Sequence, residues 1–225
     1  MTKALIIATG RCGSSALARA IKEAYLCEEW YDEPFNPDLN STNEITGVRE
    51  FDEAKGKSYD FAAPWKDVPP NTIWKCLLTL DNHPEEYKDI VEFFLDFSKQ
   101  FEKVILLSRR NNAERFYSLM MGIQHSQWHR RYWPLDVTIN SEHFITINDF
   151  FDQNKRIETL ASKTNSEIFY YEDLFTDEET SSKTWSRMLG ETNDFEATYL
   201  RWLQPKLRYR MKPEEAQSRA RQKNI

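Results

Sequence analysis

The sequence predicts an α/β fold: three layers, α/β/α, around a central parallel sheet. Apolar strand-like runs begin near Lys3, Thr72, Lys103 and Ser166, and they alternate with helical stretches such as 85–100 and 149–162. Strand and helix alternating in this way build a parallel sheet covered on both faces. The runs are near-continuously apolar, as strands buried on both sides are. At 225 residues the chain suffices for one such domain with a sizeable core and is short for two, so 1–225 is expected to be a single domain.

The first element carries the most chemistry. Leu5, Ile6, Ile7 and Ala8 read as a buried strand, and 16–24 (ALARAIKEA) reads as a helix. Between them lies Thr9-Gly10-Arg11-Cys12-Gly13-Ser14-Ser15, a turn that is P-loop-like in outline. Gly10 and Gly13 let the backbone approach a ligand closely. The helix start offers free N–H groups and a partial positive charge, and the two serines add hydroxyl donors. A Walker A loop holds its phosphates and magnesium with Gly-Lys-Ser/Thr. Here the cation is Arg11, placed before the second glycine, and its planar fork suits a multi-oxygen anion without a metal.

This strand, Arg-x-Gly-Ser-Ser turn and helix resemble the 5′-phosphosulfate loop of the sulfotransferases that use 3′-phosphoadenosine-5′-phosphosulfate (PAPS). Four further segments carry the resemblance. In 31–37 (YDEPFNP), Pro34 and Pro37 impose an extended loop that follows the first helix. Glu33 there matches the glutamate base of the bacterial carbohydrate-type enzymes, and the resemblance implies that it takes the acceptor hydroxyl's proton, with Phe35 beside the acceptor. In 72–80 (TIWKCLLTL), Lys75 sits inside an apolar strand, where a charge is costly without an anionic partner. It is expected to steady the leaving phosphate oxygen or to contact the acceptor; the alternative is a lysine reaching out from an edge strand.

In 103–121 (KVILLSRRNNAERFYSLMM), a buried strand ends in Arg109-Arg110, and a helix follows that carries Ser118. The resemblance assigns the cofactor's 3′-phosphate to a strand-end arginine and this serine. Arg110 has the family's eight-residue separation from Ser118 and is preferred, while Arg109 fits the distance from the strand start better. In 167–190, the Tyr-Glu-Asp-Leu element at 171–174 resembles the family's, which implies that Tyr171 lies against the adenine. Glu172 and Asp173 are expected to answer free N–H groups at a helix start rather than to act in catalysis.

The stretch from Phe116 to His129 is similar to the trehalose-type bacterial sulfotransferases. An aromatic segment at about 120–150 would then wall the acceptor site as a lid, with Trp128, His129, Tyr132 and Trp133 presenting faces suited to a polyol. His125 and His129 stand four apart, but no glutamate lies between them as in a zinc protease and no third ligand is evident, so no metal is expected. Lys206 and Arg208 fall where a late basic loop closes over the 3′-phosphate in the family, although the glycine-rich form of that loop is absent; a solvated basic helix is the competing reading. The segment 51–71, with Pro64, Pro69 and Pro70, reads as an irregular excursion.

Composition narrows the partners. Net charge is −6 and the pI near 5.4, which disfavours nucleic acid and other polyanions. Three cysteines, Cys12, Cys27 and Cys76, have no zinc spacing and point to reduced thiols, and with no apolar run near membrane-spanning length the protein is expected to be cytoplasmic. The sequence-level expectation is a PAPS-dependent sulfotransferase that leaves adenosine-3′,5′-bisphosphate as product, acts on a small hydroxyl acceptor, and works as a monomer or homodimer. Arg11, Glu33 and Lys75 are its expected catalytic residues. The competing readings are a small-molecule kinase using ATP and a nucleotide-binding protein without catalysis.

Overall fold

A computed structural model describes residues 2–35, 67–78, 86–125, 137, 139–140, 143–175 and 178–190. Five strands, β1 (Ala4–Ala8), β2 (Glu29–Asp32), β3 (Thr72–Leu77), β4 (Lys103–Ser108) and β5 (Ile168–Tyr170), form one sheet in the order β2-β3-β1-β4-β5. Every pairing is parallel. The helices are α1 (Ser14–Ala24), α2 (Ile90–Phe97), α3 (Asn112–His125), α4 (His143–Thr164), α5 (Tyr171–Phe175) and α6 (Glu178–Leu189).

Side-chain alternation sorts the central strands into two cores. Ala4, Ile6 and Ala8 pack with Leu17, Ala18 and Ile21 of α1 and with Trp185 and Met188 of α6. Leu5 and Ile7 face the other way, into Trp74, the phenylalanines of α2, and Ile157 and Leu160 of α4. All five residues of β1 are buried, because parallel strands with helices on both faces have no wet side. The molecule is therefore a three-layer α/β/α structure.

Two elements differ from the sequence expectation. The short edge strand β2 lies where an extended loop was expected: Tyr31 and Asp32 pair with Trp74 and Lys75, and the chain leaves the sheet only at Glu33. The helix expected over 85–100 begins at Ile90, because Asp89 caps it by accepting from the Glu92 amide at 2.9 Å, and it tightens into a 3₁₀ turn at Ser98–Gln100.

Candidate functional site

The candidate site lies beyond the C-terminal ends of β1, β3 and β4. α1, which follows β1, covers one face of the sheet; α4, in the connection after β4, covers the other. Connections that diverge to opposite faces from adjacent strands open a crevice between them, the usual ligand position in such sheets. The loop after β1 crosses this crevice. Thr9 ties it to β4, its amide donating to Leu107 O at 3.0 Å and its hydroxyl lying 3.2 Å from that of Ser108. The Cys12 thiol donates to Thr9 O at 2.7 Å, closing the turn from within, and burial holds that thiol above its ordinary pKa.

Gly13 caps α1 with φ of +83°. A Cβ at this position would come within 3.1 Å of the Phe175 and Tyr171 rings, so the position needs glycine on both counts. Gly13 O accepts from Ala16 and Leu17, while the amides ahead of them have no helical carbonyl within reach. The first turn of α1 contains no acidic residue. The start of α3, by contrast, is already answered by carboxylate: Glu172 accepts from the amides of Arg110 at 3.1 Å and Asn111 at 3.0 Å. Glu172 thus answers free amides at the entrance to the helix after β4.

At one end of the loop, Lys75 stands between two carboxylates. It is 2% exposed, on a strand flanked on both sides, so it is not an edge-strand lysine. Its ammonium donates to Glu33 Oε1 at 2.7 Å and to Ser15 Oγ at 3.0 Å, and it forms an ion pair with Asp32, its register partner on β2. Burial works against the ammonium, but Glu33 and Asp32 outweigh it and hold the Lys75 pKa above the ordinary lysine value. Burial pushes the Asp32 carboxyl up; Lys75 opposes that push and Glu33 adds to it. Arg19 also acts on Asp32 and Arg11 on Glu33, so the two carboxylates are balanced by more than the lysine alone.

At the other end is a group of arginines. Arg11 donates from Nε and a terminal nitrogen to Ser118 Oγ, at 3.1 and 2.8 Å. Its guanidinium pKa is lowered by burial and by nearby Arg109, against the pull of Cys12 and Glu33. Arg109 is 4% exposed, forms an ion pair with Glu114, and has its guanidinium carbon 4.3 Å from the centroid of the Tyr171 ring. Arg110 turns elsewhere: it grips Asp173 through both terminal nitrogens, at 2.6 and 2.7 Å, and lies over Tyr170.

The structure thus brings together Thr9 to Ser15, Glu33, Lys75, Arg109, Ser118 and Tyr171, and it turns Arg110 toward Asp173. Phe35 is 5% exposed and belongs to the aromatic core, its ring centroid 5.0 Å from that of Phe93 and 5.4 Å from that of Phe97. The chain turns inward after Pro34, so Phe35 packs in this core. Trp128, His129, Tyr132, Trp133, Lys206 and Arg208 lie outside the described residues, as does the His129 half of the histidine pair. Sequence reasoning missed Asp32 as a partner of Lys75, although a cation inside a strand calls for an anion nearby. It also missed Arg115 and Gln153, which brace the loop from behind. Among the described residues, no helix is long and apolar enough to cross a membrane. No protein family model and no curated protein matches this sequence.

Proposed function

We propose that the chain transfers a sulfuryl group from PAPS to the hydroxyl of a small acceptor. One observation carries the reading: the Lys75 ammonium is within hydrogen-bond distance of both Glu33 and Ser15, so a base, a buried cation and the anion-cradling loop meet at a single atom. In this reading the loop from Arg11 to Ser15 holds the phosphosulfate. Glu33 takes the acceptor's proton as its oxygen bonds to sulfur, and the bond from sulfur to the bridging phosphate oxygen breaks. The electron pair leaves on that oxygen, where Lys75, held by Asp32, is positioned to offset the charge. In-line alignment of acceptor, sulfur and leaving oxygen supplies much of the rate. Arg11 and Ser118 with Arg109, which is buried where Arg110 faces Asp173, take the 3′-phosphate, and Tyr171 beside them offers a ring to the adenine.

Calorimetric titration with adenosine-3′,5′-bisphosphate, AMP and magnesium-ATP tests the proposal. The expected result is micromolar binding of the bisphosphate that is lost when the 3′-phosphate is absent. Binding of magnesium-ATP in its place would transfer the site to phosphoryl chemistry, and binding of no nucleotide would overturn the reading.

A further inference from the structure

Arg115 is a fully buried cation with no carboxylate partner among the described residues. It is 0% exposed, and all of its hydrogen bonds go to neutral acceptors: Gly10 O at 3.0 Å, Asn112 Oδ1 at 3.0 Å, Asn154 Oδ1 at 2.9 Å and Gln153 Oε1 at 2.8 Å. The Phe150 ring lies below it at 4.1 Å. Gln153, 5% exposed, closes the ring by accepting from Gly10 N at 2.9 Å. Both peptide groups of Gly10 are therefore held from behind the loop, and its N–H is turned from the ligand toward Gln153. Burial depresses the Arg115 pKa to about 10, with Arg109 adding to the depression and Cys12 and Glu172 opposing it, which still leaves the group charged at neutral pH.

An uncompensated buried charge costs several kcal/mol, and proteins ordinarily pair it. Here a fork of neutral amides keeps the charge directly beneath an anion cradle. We propose that Arg115 and Gln153 are positioning residues: together they fix the Gly10 peptide, and they leave the Arg115 charge unpaired so that a bound anion in the loop becomes its counter-ion. The inference rests on reading the loop as an anion site and does not depend on which nucleotide the anion belongs to. Glutamine is the informative residue at 153. A glutamate would accept the same hydrogen bonds, yet it would neutralise Arg115.

The decisive variant is accordingly Gln153→Glu, with Arg115→Lys and Arg115→Met beside it. Affinities for inorganic pyrophosphate and for adenosine-3′,5′-bisphosphate are measured by calorimetry, and Tm by scanning calorimetry. We expect Gln153→Glu to keep or raise Tm while weakening both anions about tenfold or more, the size of one nearby unit charge at intermediate dielectric. Arg115→Lys should hold affinity better than Arg115→Met. A Gln153→Glu protein that folds and binds both anions as tightly as the native chain would overturn the inference, as would a native chain that binds neither. Pyrophosphate binding that responds to Gln153→Glu in a protein indifferent to the bisphosphate would sustain this inference and defeat the PAPS reading.

Discussion

Glu33 and Arg11 are both non-glycine residues in the left-handed region, with φ of 50° and 60°. Such backbone costs on the order of 1 kcal/mol or more for residues other than glycine and asparagine, and it persists where surrounding contacts enforce it. At Glu33 the enforcing contact is visible: its amide donates to Lys75 O at 2.7 Å, turning the chain so that its carboxylate meets the same residue's ammonium. Replacing Glu33 with glutamine keeps the turn and removes the carboxylate that the proposed reaction uses as its base. The expected outcome for Glu33→Gln is lost sulfuryl transfer with bisphosphate affinity retained, read by turnover and calorimetry on one preparation; full turnover in the variant would remove Glu33 from the mechanism. Lys75 was legible in the sequence, because a lysine amid Ile73, Trp74, Cys76 and Leu77 needs explaining. Arg115 was not, since an arginine on a helix reads as a solvated residue and only the packing of α3 and α4 against the loop buries it.

The loop and α1 work as a unit because Gly13 lets the chain turn tightly beneath Tyr171 and Phe175. Gly13→Ala would combine a left-handed alanine, costing about 1–2 kcal/mol, with a Cβ 3.1 Å from each ring. The expected outcome is a lower denaturation midpoint together with weaker bisphosphate binding, because the rings and the first turn of α1 must shift apart. Unchanged affinity in a folded Gly13→Ala protein would mean that the α1 start does not contact the anion. Longer elements were legible through their apolar runs, whereas the Asp89 cap that starts α2 at Ile90 was not read from the sequence. β2 was not: its four residues carry acidic ends, and a strand that short is defined by the register of its neighbour, not by any periodicity of its own.

Over the whole molecule, stability and the candidate chemistry converge on the sheet centre. The central parallel strands and flanking helices were legible, whereas the order β2-β3-β1-β4-β5 was not, because pairing between strands distant in sequence leaves no local trace. Lys75 links the two concerns. Removing it in Lys75→Met would leave Asp32 and Glu33 part-buried side by side without their cation, at a cost of up to about 3 kcal/mol near neutral pH. The Lys75 pKa is raised in the folded state, so its stabilisation is complete below the ordinary lysine value and is lost as pH rises through the folded one. The stability gap between native chain and variant should thus hold through neutral pH and close in the alkaline range above that value, as followed by denaturant titration; it should also shrink in acid, where Asp32 and Glu33 take up protons and no longer need the cation. A gap that stayed open well above that value would mean that the ammonium is not the stabilising charge.

Asp32 and Lys75 are register partners on adjacent strands, and Glu33 follows Asp32 directly. Their separation is set by the interstrand spacing of the sheet, about 4.8 Å, which no peripheral loop can stretch. The surrounding segments can therefore be rewritten without changing the distance between the backbone positions that carry this carboxylate and this ammonium.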